Sequence, residues 1–161
     1  MADRVRLYAW AAPVMDAHTL PDHTWVTTYD SRKAAHKDIE AVVAAGEHFW
    51  YCWGLFRAKG GATGALGDAV GSHTVASCLA TPNNDCQSTK AARGTIFQYG
   101  RHGVCHQLAN QVLHATASKG SAPITVSKAR GYFWSAFRFG TYGQPEAVWA
   151  AKLNSCSTGP S

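Results

Sequence analysis

Two segments of the chain have the apolar pattern of β-strands. Residues 23–30 alternate between two faces and are rich in aromatic and β-branched side chains, which predicts a strand with His23 and Trp25 on one face. Residues 47–58 are aromatic on both faces and predict a central strand that begins next to His48. Each predicted strand therefore has a histidine at its start.

Three other segments have apolar residues at helical spacing. Residues 31–46 predict a helix that ends at Gly46, residues 103–117 predict a second helix, and Pro145 begins a third. The second helix places a cysteine in the first turn of its apolar face. That face consists of Cys105, Leu108, Ala109, Val112 and Leu113.

The remaining segments are rich in turn-forming residues or short strand patterns. Residues 59–90 predict long loops with one short ordered piece at 73–80, and residues 94–100 predict a short strand. Residues 123–140 predict two strands joined by a turn. The expected fold is a single α+β domain over residues 1–155, with a mostly antiparallel sheet packed by the cysteine-bearing helix. Residues 156–161 are expected to form a flexible tail.

Composition limits the functional classes. With 161 residues and 46% apolar residues, the chain is long and apolar enough for a core. The net charge of +5 favours acidic partners, but no run of Lys or Arg exceeds two residues, so support for nucleic acid binding is weak. No apolar stretch has the length of a membrane helix and no leader is apparent. We therefore expect no membrane partner and a cytoplasmic location, and leave open secretion by a signal-less route.

Five cysteines occur without a C-x-x-C pair, and an odd number leaves one unpaired. A disulfide framework is therefore not expected. Cys105 is the one cysteine at a predicted helix start, where the helix dipole lowers the pKa of a thiol and the free backbone amides can hold an oxyanion. A nucleophile and an ordinary core residue are both compatible with this position.

A nucleophilic thiol needs a base, and the chain offers several histidines. His23, at the start of its strand, is the first choice, with His48 on the next strand as the residue that orients it. His73 is an alternative partner within the loop-rich region. Gln98 and Tyr99 precede the helix and could contribute an amide or a hydroxyl to an oxyanion hole.

A second face of the cysteine helix is polar. His106, Asn110 and His114 lie on it at intervals of four residues, and His102 precedes them by four. The helix has neither an H-E-x-x-H pattern nor a carboxylate to complete a metal site. We expect this face to be solvated, and we expect no metal and no cofactor.

An early predicted strand carries a histidine, a second strand starts with a polar residue, and a later helix begins with cysteine. This order of elements resembles the circularly permuted papain-like architecture, in particular the permuted branch of the NlpC/P60 superfamily. The resemblance rests on His23, His48 and Cys105. It implies a thiol hydrolase or acyltransferase acting on amide or ester bonds of a peptide or acyl-containing substrate. Cys105 would attack, His23 would serve as base and then acid, and no cofactor would be needed.

A small basic binding module is the alternative from another class, with exposed aromatic residues that hold nucleic acid or an acidic protein. A metal protein that uses Cys78, Cys86 and histidines is a third reading, and it lacks paired ligand spacing.

Overall fold

Alternating apolar residues near the N-terminus form the centre of an antiparallel sheet. The computed structural model describes residues 4–13, 21–30, 41, 44–51, 64–79, 96, 100–117 and 123–157. Within these residues the strands lie in the order β3-β2-β1-β4. The strands are β1 (Arg4–Pro13), β2 (Asp22–Thr27), β3 (Phe49–Trp50) and β4 (Gly64–Ser72).

Four helices have described bounds, and all four follow β4 in the chain. Helix α2 packs against β2 and β4, and α1 packs against α2. None of the described helices combines the length and the apolar character needed to cross a bilayer. The helices are α1 (His73–Leu79), α2 (Cys105–Thr116), α3 (Tyr132–Phe139) and α4 (Glu146–Ser157).

The two faces of the sheet have separate apolar cores because successive side chains of a strand point to opposite sides. One core joins the sheet to the apolar face of α2 and includes Leu7, Ala9, Val26, Trp50, Leu108, Val112 and Leu113. The other lies on the opposite face and includes Trp10, Ala12, Trp25, Phe49 and Tyr51. Full burial of each large apolar side chain contributes roughly 1.5–3 kcal/mol, so both cores contribute to the stability of the sheet.

Strand β2 has a defined register with both neighbours. Trp10 of β1 lies opposite Trp25, and Ala12 lies opposite His23. The indole N–H of Trp10 also donates to Thr27 Oγ1 at 2.7 Å, which satisfies a buried donor. On its other side β2 pairs with the short strand β3, where Val26 lies opposite Trp50. The predicted strand at residues 23–30 is thus confirmed over most of its length.

Two segments differ from their predicted structure. Residues 64–72, predicted as loop, form a strand that pairs with β1 along its length, because long-range pairing overrides the low strand propensity of its glycines. Residues 123–140, predicted as two strands, contain an irregular segment, a turn and helix α3. Gly131 caps α3 with φ 80°, a left-handed conformation that glycine adopts readily.

The predicted α+β class is confirmed, with an antiparallel sheet and a packed helix that begins at Cys105. The last predicted helix is also confirmed, but α4 continues to Ser157 and therefore includes the first two residues of the predicted tail. Most of the predicted helix at residues 31–46 lies outside the described residues. In the predicted strand at residues 94–100 only Ile96 and Gly100 are described, and neither lies in a strand.

Candidate functional site

The first turn of α2 carries the thiol. Val104 precedes the helix in an extended conformation, with φ −130°, and its backbone N–H donates to Gln107 Oε1 at 2.9 Å. The Val104 side chain offers no oxygen to cap the helix, so no side-chain hydrogen bond from the N-cap holds the first-turn amides. Cys105 is a buried cysteine outside any disulfide, with 6% of its surface exposed. Its predicted position at a helix start is confirmed.

A side chain of α2 connects the helix start to the start of β2. His106 Nε2 lies 2.8 Å from the carbonyl oxygen of Asp22, and its Nδ1 lies 2.8 Å from Ser135 Oγ. Because a carbonyl only accepts, Nε2 carries a hydrogen. The Ser135 hydroxyl lies within hydrogen-bond distance of Nδ1 and also of the Tyr132 carbonyl oxygen, at 3.0 Å. Burial lowers the pKa of His106, while the Asp22 carbonyl and carboxylate act in the opposite direction.

His23 follows Asp22 directly and is buried. Its ring stacks on Trp25, with 5.4 Å between ring centroids, so the predicted shared face of the two residues is confirmed. Val26, which contacts the core beneath α2, lies on the other face of β2. The hydrogen bond from His106 to Asp22 thus places the start of α2 beside the start of β2. The His23 side chain lies on the face of β2 opposite to the one that α2 packs against.

His48 is not placed where the sequence predicts it. The backbone N–H of Thr28 donates to His48 O at 2.9 Å, which places His48 beside the far end of β2. Five residues of strand separate Thr28 from His23, a distance of about 17 Å. The His48 ring stacks on Trp50, with centroids 6.2 Å apart. The expected orientation of His23 by His48 is therefore wrong, because β3 pairs with the end of β2 and not with its start.

The polar face of α2 is also different from its prediction. His106, Asn110 and Gln111 are buried, not solvated. Three side chains of α2 donate to backbone carbonyls in the segment between α3 and α4. Gln107 Nε2 donates to Gly140 O at 3.2 Å, Asn110 Nδ2 to Thr141 O at 2.8 Å, and Gln111 Nε2 to Tyr142 O at 2.5 Å.

Asn110 has a second structural role. Its Oδ1 accepts the backbone N–H of Val126 at 2.8 Å, so one side chain ties two distant segments to α2. His114, at the last turn of the same face, contacts the hydroxyl of Tyr142 through Nδ1 at 3.2 Å. Burial lowers the pKa of His114. Most of this face is therefore a structural polar network in which backbone carbonyls and side-chain hydroxyls replace water.

The other predicted residues do not enlarge the site. Gln98 and Tyr99 lie outside the described residues, and so do Cys52 and Cys86. His73 is the first residue of α1, and the structure describes its backbone only. The described part of the chain contains no group of three or more metal-ligating side chains.

Cys78 forms a disulfide with Cys156, which links α1 to the end of α4. The sequence predicts no disulfide framework, and this bond was not anticipated because the fold brings together cysteines that are 78 positions apart. The third reading, a metal site that includes Cys78, is contradicted by the same bond, because a disulfide sulfur is no longer a thiolate ligand.

The start of β2 also has a contact that the sequence does not predict. The Asp22 carboxylate accepts from the backbone N–H of Arg130 at 2.9 Å and forms a 3.0 Å ion pair with its guanidinium. Asp22 adjoins His23 in sequence, and the glycine after Arg130 marks a turn, but nothing in the sequence connects the two residues across 108 positions. The contact fixes the start of β2 beside the start of α3.

Comparisons of the chain with models of known protein families, with curated proteins and with solved structures find no match.

Proposed function

We propose that the protein is a thiol-dependent hydrolase or acyltransferase that acts on an amide or ester bond, with Cys105 as nucleophile. The observation that supports this most is the hydrogen bond from His106 to the Asp22 carbonyl, because it holds the start of α2 beside the start of β2. Cys105 and His23 are the immediate neighbours of the two bonded residues. A helix start and a buried imidazole at one corner are the parts that thiol catalysis requires.

In this mechanism His23 accepts the proton of the Cys105 thiol, and the sulfur attacks the carbonyl carbon of the substrate. The first-turn amides of α2 stabilise the negative oxygen of the tetrahedral intermediate. When the carbon–nitrogen or carbon–oxygen bond breaks, His23 returns the proton to the leaving amine or alcohol. Water or a second acceptor then attacks the thioester carbon and releases the acyl group from Cys105.

The alternation of side chains along β2 determines the route of the proposed proton transfer from Cys105 to His23. His23 leaves the strand on the Trp25 face, whereas the apolar side chains of α2 pack on the Val26 face. His23 is the second residue of β2, so in the proposed mechanism the proton moves around the end of the strand and not across the sheet. The proposal therefore depends on the geometry at the start of β2, so substitution of His23 is its most direct test.

The first test is alkylation of the native protein with iodoacetamide between pH 5 and 9, with each cysteine followed by peptide mass spectrometry. Thiolate is the reacting form, so an activated Cys105 reacts rapidly below pH 7. His23→Gln should remove that advantage, whereas the matched variant His48→Gln should leave it unchanged, because His48 lies at the far end of β2. Reaction of Cys105 only near pH 8.5, with no effect of His23→Gln, would identify it as a core residue.

The second test measures release of p-nitrophenol from activated acyl esters. Cys105→Ser should abolish a burst of product whose size equals the enzyme concentration, and a trapped thioester should add the acyl mass to the Cys105 peptide. His23→Gln should slow the burst by 10²- to 10⁴-fold, the usual range for the loss of a general base. Circular dichroism of each variant separates a loss of catalysis from a loss of fold.

The disulfide between Cys78 and Cys156 indicates the cellular compartment in which the protein works. Disulfides persist in oxidising compartments and are rare where thiols are kept reduced. We therefore infer that the protein works outside the reducing cytosol, in contrast to the cytoplasmic location that the sequence favours. Mass spectrometry of protein isolated from each cellular fraction under alkylating conditions tests this directly. Recovery of Cys78 and Cys156 as reduced thiols from the compartment of function would contradict it.

A further inference from the structure

Helix α3 turns three aromatic side chains toward solvent. Phe133, Trp134 and Phe137 are 70%, 72% and 81% exposed. These are the largest apolar exposures among the described residues. The Phe133 and Trp134 rings meet edge to face, with centroids 5.4 Å apart, so they form one continuous ridge. A ridge of this kind on a folded domain marks a contact surface and not a misplaced core.

The opposite side of α3 is already occupied. Phe139 is buried, and Ser135 accepts the Gln107 amide at 3.2 Å and lies against His106. Tyr132 is partly buried beside the α2 core. At 100° per residue, no rotation of α3 could bury the three exposed rings without exposing Phe139 and breaking these bonds. The exposed ridge therefore follows from how the described residues pack around α3.

The ridge has a basic border. Arg138 is exposed and lies beside Trp134 at a spacing of four residues, with its guanidinium 5.4 Å from the centroid of the Phe139 ring. Lys128 is exposed in the turn that leads into the helix, whereas the neighbouring Arg130 is paired with Asp22. The chain as a whole carries a net charge of +5. Cations around aromatic side chains match an anionic, partly apolar surface.

The area of the ridge selects among partners. Three rings at this exposure present roughly 450 Å², since an aromatic side chain has about 150–250 Å² to bury. A stable protein interface needs about 800 Å² from each partner, so the ridge alone is too small for a second copy or another protein. A lipid surface has no such minimum, and it accepts a convex ridge without a complementary groove.

We propose that α3 docks this protein on an anionic membrane surface, with Phe133, Trp134 and Phe137 inserted at the headgroup level and Arg138 and Lys128 paired with lipid phosphates. Aromatic side chains favour this depth, and each nearby cation contributes about 1 kcal/mol on an anionic leaflet. The docking is peripheral and revises the expectation of no membrane partner. It does not depend on catalysis by Cys105.

The test is sedimentation of the full chain with sucrose-loaded vesicles of phosphatidylglycerol and phosphatidylcholine, compared with vesicles of phosphatidylcholine alone. Binding should be strong on the anionic vesicles and should fall as salt rises. Replacement of all three ridge residues by serine should lower the partition coefficient at least about tenfold, because most of the inserted apolar area is lost. Arg138→Gln should lower it about fivefold on anionic vesicles only.

Three further variants make the result specific. Val148→Ser changes the 38% exposed valine of α4 and should leave the partition coefficient unchanged. Trp134→Phe should keep the binding but reduce the blue shift of the tryptophan fluorescence on vesicles. Cys105→Ser should bind as the wild type does, so failure of the proposed enzyme activity would not affect this result.

Three outcomes would overturn the inference. They are no sedimentation with either vesicle, equal loss of binding in Val148→Ser and the ridge variant, and dimerisation through the ridge in light scattering without vesicles. Saturable binding of a fluorescent single-stranded oligonucleotide that is lost in the ridge variant, without vesicle binding, would instead support the alternative of a nucleic acid module.

Discussion

His106 Nε2 lies 2.8 Å from the carbonyl oxygen of Asp22, 84 positions earlier in the chain. The same imidazole contacts Ser135 of α3 through Nδ1 at 2.8 Å. One buried ring therefore connects β2, α2 and α3. The proposed site and the proposed membrane surface depend on this ring for their relative positions.

Removal of this ring should destabilise the whole domain. His106→Ala loses two hydrogen bonds, leaves the Asp22 carbonyl without its imidazole donor, and opens a cavity, so we expect the free energy of unfolding to fall by about 3 kcal/mol. Urea denaturation followed by circular dichroism measures the change. Lys128→Ala is the matched surface control and should stay within about 0.5 kcal/mol of the wild type. Equal stability of both variants would show that the ring is not a structural link.

Stability should decrease in mild acid. Burial lowers the pKa of His106 and of His114 below their ordinary value, so both remain neutral in the fold while the unfolded chain takes up protons. The unfolded state then binds more protons as the pH falls below about 6.5, and the free energy of unfolding falls with it. The loss ends once the pH is below the folded pKa.

The experiment compares the free energy of unfolding in urea at several pH values from 7.5 to 5 for the wild type, His106→Gln and His114→Gln. Each variant should have a shallower slope than the wild type. A slope unchanged in both variants would assign the acid sensitivity to other groups.

Gly131 should tolerate no side chain. Its φ of 80° disfavours any other residue, and an added Cβ would overlap Cβ of Pro21. Gly46 has nearly the same φ, 76°, but nothing within 4 Å of an added Cβ. We expect Gly46→Ala to cost about 1 kcal/mol and Gly131→Ala to cost at least about 3 kcal/mol, and the difference in urea midpoint reports the clash. Similar losses of stability in the two variants would show that Pro21 does not lie against Gly131.

Reduction should weaken the fold because Cys78 and Cys156 close a loop of 78 positions. In the chain-entropy model such a crosslink contributes about 4 kcal/mol through the unfolded state. Urea denaturation with and without dithiothreitol should show a loss of this order, and the Cys78→Ser/Cys156→Ser double variant should reproduce it. Cys105→Ser should respond to dithiothreitol as the wild type does. A midpoint unaffected by the reductant would mean that the bond is absent in solution.

The local pattern of the chain was sufficient for the elements that carry the proposed chemistry. The spacing of Cys105, Leu108 and Val112 predicts a helix with the cysteine in its first turn, and the structure confirms it. The alternation of residues 23–30 likewise predicts the face shared by His23 and Trp25. Both features follow from periodicities of 3.6 and 2 residues, which are properties of neighbouring residues.

Features decided by distant partners were not predictable in this way. The polar face of α2 has the composition of a solvated surface, and it is buried because Gly140, Thr141 and Tyr142 bring their carbonyl oxygens to Gln107, Asn110 and Gln111. Residues 64–72 have a loop-like composition, and they form a strand because β1 offers an unpaired edge. The place of His48 depends on which end of β2 pairs with β3.

The sequence by itself determined the class of the fold, the cysteine at a helix start and the histidine at a strand start. The tertiary structure alone decided that these two starts adjoin, that Cys78 meets Cys156, and that the aromatic residues of α3 face solvent. Local periodicity shows which side of an element is apolar, and a helix with aromatic residues on several sides can bury only one of them. Which side it buries depends on what packs against it, and for α3 that is the polar face of α2.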